Sequence, residues 1–349
     1  MKILVFGAGP LGSLMAARLH EAGQDVTLLA RRKRLEDLKK YGVVIEDSVS
    51  KEQTITPVKV VETFGPEDEY DLVMVVMRKN QAVEILPTVG ANKKVPTFLF
   101  MMNNAAGFDK IAKAVGKERV MGGFPYPGGE KNGHIMRIIP IDEHNKYTIP
   151  IGEIDGQIRE RTLKIAKVLA SMRGYKVEIR KDIDVWLKCH VALLMSSLAP
   201  ALYAADCDMK RLGRTRDLLV LANRGVWEGL RALRKAGIPT RPKMIRIFGW
   251  IPEPIMVALL AKMMKKEEMK ASVEGHCKSA KDEMKYLADE LLTIIRKAGI
   301  KTPVIDSMQQ YYDDNISLVP EGSKEIPLRW GSIILSLLII AGIVALLMI

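Results

Sequence analysis

The stretch MKILVFGAGPLG, residues 1–12, decides the fold of this chain. An apolar run at 2–6 is typical of a buried strand, and three glycines in the pattern G-x-G-x-x-G follow it directly. Such glycines permit a tight turn and let a ligand approach the start of a helix, whose free amides attract phosphate. We therefore predict that a dinucleotide pyrophosphate binds here, with a turn kept only for packing as the alternative. The predicted cofactor-binding residues are Gly7, Ala8, Gly9, Pro10, Leu11 and Gly12.

Apolar segments alternate with helical patterns through the first part of the chain. The buried-strand candidates are 25–30, 70–77, 95–102 and 118–124. Alternation of this kind predicts a parallel sheet built from βαβ units. Short strands and turns between 122 and 156 predict an antiparallel extension, which a helix at 157–173 and a strand at 175–180 close.

From Asp182 onward the apolar residues fall at helical spacing, and glycine and proline end the helical segments. The predicted fold class is α/β, with an N-terminal Rossmann dinucleotide-binding domain, an all-helical C-terminal domain and a C-terminal transmembrane helix. The predicted boundaries are 1–181 for the nucleotide domain, 182–315 for the helical substrate and catalytic domain, 316–330 for a flexible polar linker and 331–349 for the membrane helix.

The composition is that of a basic globular protein in a reducing compartment. The 349 residues carry a formal net charge of +12, which indicates either a solvated basic surface or attraction to phosphates or an anionic membrane face. Cys189, Cys207 and Cys277 are widely spaced, which argues against a disulfide framework. The sequence has no zinc spacing and no interleaved basic and aromatic residues, so we expect no metal site and no nucleic-acid partner. The N-terminus shows no signal-peptide pattern, which favours the cytoplasm.

The end of the second predicted strand indicates which dinucleotide is bound. NAD sites place an acidic residue there, about 20 residues after the glycines, to bond the ribose 2′-hydroxyl. This chain has Arg31 and Arg32 instead, and its next carboxylate is Glu36. Because arginine pairs with a 2′-phosphate, we predict NADP as the cofactor and Arg31 as its contact, with a solvated basic loop as the alternative.

Six motifs in a fixed order carry a resemblance to a known family. They are GAGPLGS (7–13), LLARR (28–32), NN (103–104), VWLKCH (185–190), DEMKYL (282–287) and AGIKTPV (298–304). With them the sequence resembles the ketopantoate reductase (2-dehydropantoate 2-reductase) family over about residues 1–315. The resemblance implies NADPH-dependent reduction of a 2-oxo acid, with 2-dehydropantoate to pantoate as the first expectation.

The resemblance also implies roles for individual residues. Lys188 stands for the lysine that acts as general acid and protonates the alkoxide formed when hydride reaches a ketone carbon. Asn103 matches an asparagine near the nicotinamide and the substrate, and Arg78 stands where a lysine near the cofactor is usual. Glu283 matches a glutamate that contacts the hydroxyl end of the substrate, and Ser272 matches a serine that holds its carboxylate. The predicted catalytic residues are thus Lys188, Glu283 and Asn103.

The substrate side departs from the family pattern, and this keeps alternatives open. Ala192 replaces an asparagine one turn after the lysine, and Asn104 and Ala106 replace glycines of an Asn-Gly-x-Gly motif. His276, two helical turns before Glu283, is either a substitute for the lost asparagine or a structural residue. A different Rossmann 2-oxo or 3-hydroxy acid reductase and a non-catalytic, membrane-held NADP-binding protein are the rival hypotheses. Whether the chain forms a homodimer stays open.

The stretch WGSIILSLLIIAGIVALLMI, residues 330–349, differs from the rest of the chain. The 19 residues from 331 onward carry no charge and would span about 28 Å as a helix, close to the hydrocarbon thickness of a bilayer. Lys324 and Arg329 precede the run and favour the cytoplasmic side. We expect a single-pass anchor in a lipid bilayer, although a buried helix is the alternative, and expect a chain ending near Ser323 to stay soluble and active.

Overall fold

The computed structural model describes residues 1–266 and 273–330, which fall into two compact units. The first unit contains Met1–Val191 and Ala271–Leu291, and the second contains Ala192–Lys270 and Leu292–Ile349. This division differs from the predicted boundary at 181/182. The reason is that the start of a helix, Ile183–Leu194, buries Ile183, Trp186 and Leu187 in the apolar core of the first unit.

The first unit is built on an eight-stranded sheet in which β1 is an interior strand. Its strands are β1 Lys2–Phe6, β2 Asp25–Leu29, β5 Lys59–Val61, β6 Leu72–Val75, β7 Phe98–Met101, β8 Val120–Gly123, β11 Tyr147–Glu153 and β12 Tyr175–Ile179. The strand order is β12-β11-β8-β7-β6-β1-β2-β5, and β8 with β11 is the antiparallel pair. The predicted α/β sheet of parallel βαβ units is therefore confirmed.

The region predicted as one antiparallel extension is divided between two sheets. β11 extends the large sheet, whereas β9 (Gly129–Asn132) and β10 (Ile135–Ile138) join β3 (Val43–Asp47) and β4 (Gln53–Thr56). This second sheet has the order β4-β3-β10-β9. The pairing of β10 with β3 joins segments about ninety residues apart, which a local pattern does not reveal.

Apolar cores lie on both faces of the large sheet, because successive side chains of a buried strand point to opposite faces. Within β1, Ile3 and Val5 pack in one core and Leu4 and Phe6 in the other. The helices of the first unit are α1 Pro10–Glu21, α2 Lys33–Tyr41, α3 Lys79–Glu84, α4 Leu86–Ala91, α5 Asp109–Val115, α6 Glu160–Ala170, the start of α7 Ile183–Leu194, Gly275–Ser279 and the start of Lys281–Lys297.

The second unit is helical, as predicted for the C-terminal part. Its helices include α8 Leu198–Ala204, α9 Met209–Arg214, α10 Arg216–Lys235, α11 Ile245–Phe248, α12 Glu253–Met263 and Pro303–Met308, and short 3₁₀ turns occupy Lys117–Arg119 in the first unit and Gln309–Tyr312 in the second. The prediction of an all-helical C-terminal region is confirmed in this unit.

The segment 316–330 forms no helix or strand, but it is fastened to the second unit. Asp217 of α10 accepts hydrogen bonds from the backbone N–H groups of Glu325 at 2.8 Å and Ile326 at 2.9 Å, and from the Ser323 hydroxyl. Arg224 donates to the carbonyl of Pro327 at 2.7 Å. The segment 316–330, predicted as a flexible polar linker, is therefore bound along α10, and we call it the strap.

The predicted membrane helix at 331–349 lies outside the described residues, as does Ser272. Within the described part of the chain, one helical stretch, Ile183–Ala204, is long and apolar enough to cross a membrane. Because 72% of its most apolar window is buried inside the protein, it has the character of a core helix.

Candidate functional site

The glycine loop lies where the strand order of the large sheet reverses. β1 pairs in parallel with β2 on one side and with β6 on the other, so strands are added in opposite directions from β1. Ligands of open α/β sheets bind at such a switch point, beyond the carboxyl ends of the strands. α1 begins here at Pro10, after Gly9, and no side chain caps its free backbone amides. This helix end is therefore open to an anion.

The three glycines have different structural reasons. A Cβ at Gly7, whose φ is +124°, would overlap the carbonyl of Val76, and one at Gly12 would overlap the carbonyl of Gly7. A Cβ at Gly9 would meet nothing within 4 Å. Packing therefore requires the first and third glycines, while the second leaves backbone open to a ligand. These residues fit a bound pyrophosphate.

Arg34 holds the glycine loop in place, a role the sequence analysis missed. Its buried guanidinium donates to the carbonyl of Ala8 at 3.2 Å, to the hydroxyl of Ser13 at 3.0 Å and to the carbonyl of His134 at 2.9 Å. Ser13 also donates to Ala8 O at 3.2 Å. These hydrogen bonds hold the loop without a ligand. Arg34 is one of four successive basic residues at 31–34, and no feature of the sequence marks it as the buried one.

Arg31 lies just beyond β2 and is exposed. Among the described residues it has no hydrogen-bond or ion-pair partner. Asp37, the nearby buried carboxylate of α2, is paired with Lys33 at 3.2 Å. The guanidinium of Arg31 is consequently available for an anionic group, as the predicted contact with a 2′-phosphate requires.

A buried polar network lies at the carboxyl ends of β6 and β7, centred on Lys79. The Lys79 ammonium donates to Oδ1 of Asn104 at 2.8 Å and lies 3.7 Å from Oε1 of Glu290. Oε2 of Glu290 accepts from the backbone N–H groups of Ala105 at 3.2 Å and Ala106 at 3.1 Å. Burial lowers the pKa of Lys79 and Glu290 opposes that shift. The network fixes the loop after β7, and sequence analysis did not identify Lys79 or Glu290.

Glu283 joins this network through the backbone. Its Oε1 accepts from the N–H of Lys79 at 3.0 Å, and its Oε2 lies 3.6 Å from Nε2 of His276. Burial raises the pKa of Glu283 to about 7, because removal from water disfavours the carboxylate. Surrounding protein atoms lower the pKa of His276 to about 4, although part of the ring remains accessible. Glu283 therefore exchanges a proton near neutral pH while His276 is neutral.

Arg78 is engaged by the protein itself. Its guanidinium donates to the carbonyl of Ser279 at 2.6 Å and lies 3.3 Å from Oδ1 of Asp282. Asn80 donates to the other oxygen of Asp282 at 2.7 Å. This places Arg78 beside the Glu283 network, and its predicted cofactor contact stays a prediction.

Lys188 forms an ion pair with Asp184, one helical turn earlier on α7. Gly107 faces this pair with a φ of +85°, and a Cβ there would lie 3.1 Å from the Lys188 Nζ and 3.3 Å from Oδ1 of Asp184. Oδ1 of Asp184 and Oδ1 of Asn103 are buried acceptors with no hydrogen-bond donor within the described chain. An ammonium whose partner carboxylate keeps one oxygen free suits a ligand that carries both a carbonyl oxygen and a hydroxyl group.

The structure gives Asn104, which the sequence analysis took as a departure, a specific role. Its amide donates to the carbonyl of Gly107 at 3.0 Å, and its Oδ1 accepts from the N–H of Gly107 at 3.1 Å. Read one residue later, the Asn-Gly-x-Gly pattern becomes Asn104-Ala105-Ala106-Gly107 and keeps its last glycine. That register was the signal that could have found Asn104 and Gly107. Ala192 lies in the second unit.

Comparison with known proteins supports the resemblance. The family model described as ketopantoate reductase PanE/ApbA matches residues 3–139. The 2-dehydropantoate 2-reductase of Aquifex aeolicus is 25% identical over 310 residues, covering 87% of this chain and 93% of that protein. The uncharacterized oxidoreductase YkpB of Bacillus subtilis is 27% identical over 254 residues, covering 70% and 78%.

Two solved structures show the same fold at 17% identity. The 2-dehydropantoate 2-reductase from Geobacter metallireducens GS-15 has a TM-score of 0.73 and covers 89% of this chain and 99% of that chain. D-mandelate dehydrogenase with NADH and anilino(oxo)acetate also has a TM-score of 0.73, covering 89% and 97%. Residues 3–139 are thus similar in sequence to the ketopantoate reductase family, and the chain shares its fold with these two solved structures.

Proposed function

We propose that this protein is an NADPH-dependent reductase of a 2-oxo acid, with 2-dehydropantoate as the first substrate to test. The observation that carries the proposal is the pairing of two features in the first unit. One is a glycine loop whose second glycine is open to a ligand, and the other is the Lys188–Asp184 pair beside Gly107, in which Oδ1 of Asp184 is a buried acceptor without a donor among the described residues. Relatives named 2-dehydropantoate 2-reductase support the substrate class.

A bound nicotinamide dinucleotide would supply the hydride. Lys188 would donate a proton to the substrate oxygen as negative charge develops there, and Asp184 would hold the ammonium in position through their ion pair. Asn103, whose Oδ1 is free, would accept a hydrogen bond from the ligand. Glu283 would bind the hydroxyl end of the substrate, and its raised pKa makes that binding sensitive to pH.

We propose NADP rather than NAD because of Arg31. The exposed guanidinium follows β2, where a carboxylate would bond the ribose of NAD. D-mandelate dehydrogenase, one of the structural neighbours, was solved with NADH, so the preference for the phosphate is a property to be measured in this chain. Titration of both reduced cofactors by fluorescence measures it directly.

A single assay separates the proposal from its rivals. NADPH oxidation is followed with 2-dehydropantoate and a panel of other 2-oxo acids, and with 3-oxo acids in parallel. Turnover of 2-dehydropantoate supports the proposal, while turnover of another acid alone supports a different Rossmann reductase. NADPH binding without turnover of any acid supports the non-catalytic hypothesis and contradicts the proposed activity.

We propose further that residues 331–349 anchor the enzyme to the cytoplasmic face of a membrane. Their uncharged run is long enough to span a bilayer, and Lys324 and Arg329 precede it. The full chain should stay with membranes through carbonate extraction. Recovery of the full chain as a soluble species without detergent would contradict the anchor. Light scattering of the purified chain measures separately whether it forms a homodimer.

A further inference from the structure

A group of large apolar side chains is exposed on the second unit. Of the thirteen large apolar residues that the described chain leaves exposed, six fall between 244 and 259, from the residue before α11 into α12. These six, named here the apolar patch, are Met244, Ile247, Phe248, Trp250, Ile255 and Leu259. Trp250 is 88% exposed. Concentrated exposure of this kind marks an interaction surface.

An arginine-lined cavity of about 280 Å³ adjoins the apolar patch and shares Trp250 with it. Its main lining residues are Trp227, Leu230, Arg231, Arg234, Arg246 and Trp250. Those from α10 recur at helical spacing and so share one face. No hydrogen bond or ion pair within 4 Å holds the three arginines among the described residues, and no carboxylate lines the cavity there, although Glu228 of α10 interacts electrostatically with Arg231. Three guanidinium groups that line one cavity without a carboxylate in its wall suit a multi-oxygen anion such as phosphate.

The course of the chain places this surface next to the proposed anchor. The N–H of Arg329 donates to Oε1 of Glu253, the first residue of α12, at 2.9 Å. Arg224 binds both oxygens of Glu253, at 2.7 and 2.8 Å, and the carbonyl of Pro327. The strap therefore ends at the start of α12, and the uncharged run 331–349 follows one residue after Arg329.

We propose that the apolar patch and the arginine-lined cavity rest on an anionic lipid bilayer. The apolar side chains enter the boundary between headgroups and acyl chains, and the arginines hold the phosphate of a lipid headgroup. The location of the surface rests on the anchor proposed above. The net charge of +12 opposes a contact with a second copy of this chain.

The test uses the full chain reconstituted into vesicles of phosphatidylcholine, with or without phosphatidylglycerol, whose acyl chains carry bromine as a quencher of tryptophan. The difference between the wild type and Trp250→Phe gives the Trp250 signal. We expect this signal to be quenched, and more strongly with phosphatidylglycerol. The double variant Arg231→Gln/Arg234→Gln should lower the Trp250-dependent quenching by about fivefold or more, at roughly fivefold in affinity per basic residue.

The matched control is Lys164→Gln/Lys167→Gln, which removes two exposed charges at the same spacing from α6. It should leave the quenching unchanged. Flotation of the same vesicles after a carbonate wash reports on the anchor separately. If the chain floats but Trp250 is not quenched, the proposed surface is wrong while the anchor stands. The same holds if neither double variant changes the quenching. If Trp250 is quenched on the vesicles but high salt then releases the chain from them, the result supports the surface and contradicts the anchor.

A contact between copies gives a third distinguishable result. Light scattering would then show a dimer in detergent, and Trp250 would be shielded from bromine equally in both kinds of vesicle. The same shielding in a monomer would mean that residues 331–349 cover the patch. Either result overturns a lipid contact.

Discussion

The Lys79 ammonium donates to Oδ1 of Asn104 at 2.8 Å, and only 3% of the Lys79 side chain is exposed. This contact joins the ends of β6 and β7, the two strands that follow β1 across the sheet. Asn104 in turn holds Gly107, which faces Lys188 and Asp184. A buried cation thus sets the shape of the loop that borders the proposed proton donor.

Replacing Lys79 with methionine should destabilise the protein by roughly 3–5 kcal/mol, because the nearly buried carboxylate of Glu290 loses its cation. Urea unfolding measures the change. The double variant Lys79→Met/Glu290→Gln should recover part of the loss, and Lys164→Met, at an exposed position, is the control. A loss under about 0.5 kcal/mol, typical of surface changes, would show that the network contributes little.

Removing the proposed proton donor tests the chemistry. Lys188→Ala should lower kcat by about 10²–10⁴, the usual contribution of a positioned acid, with little change in NADPH affinity. Asp184→Asn should lower kcat less, because the ammonium stays but loses the partner that positions it. Single-turnover rates with 2-dehydropantoate measure both. Near wild-type turnover in Lys188→Ala would remove Lys188 from the mechanism.

Cofactor selection should depend on Arg31. Arg31→Ala should weaken NADPH binding by roughly tenfold or more and leave NADH binding nearly unchanged, because NADH has no 2′-phosphate. Fluorescence titration with both cofactors gives the two affinities, and Lys39→Ala, another exposed basic residue of this region, serves as the control. Equal losses for the two cofactors would show that Arg31 does not read the phosphate.

Glu283 should make stability depend on pH. Its pKa is about 7 in the folded protein against 4.5 for an unperturbed glutamate, so the folded state binds more protons between these values. The contribution of Glu283 to the free energy of unfolding should therefore fall by roughly 3 kcal/mol as pH rises through this range, and level off above about 7. His276, whose pKa is lowered, contributes the opposite slope between about 4 and 6.5.

The difference in the free energy of unfolding between the wild type and Glu283→Gln separates the effect of this carboxyl from that of His276 and of the charges of Arg78 and Asp282 that face it. Unfolding curves at successive pH values supply the difference. A difference that stays flat between pH 4.5 and 7 would mean that Glu283 is better solvated than its position indicates.

The strap predicts how truncation affects stability. The second unit of a chain that ends at 330 should be as stable as in the full chain. A chain that ends at 323 leaves the buried carboxylate of Asp217 without the N–H groups of Glu325 and Ile326. We expect the shorter chain to be less stable by roughly 1–3 kcal/mol. Thermal unfolding compares the two, and equal midpoints would show that the strap only rests on α10.

Sequence by itself determined the elements that depend on local patterns. The three glycines at 7, 9 and 12, the alternating strands and helices, and the helical second half followed from backbone geometry and the spacing of apolar residues. Lys188, Glu283 and Asn103 came from a resemblance of motifs. The structure pairs Lys188 with Asp184, bonds Glu283 to the backbone of Lys79 and buries Asn103.

Tertiary structure alone decided which distant residues meet. Lys79 and Glu290 are of residue types that usually lie on the surface. The strap was predicted to be a flexible linker because its residues are polar. Whether a charge is buried, which register a loop adopts, and whether a polar segment is bound depend on partners far away along the chain. The tertiary fold brings those partners together, and the cost of burying unpaired polar groups then fixes their contacts, which no local pattern encodes.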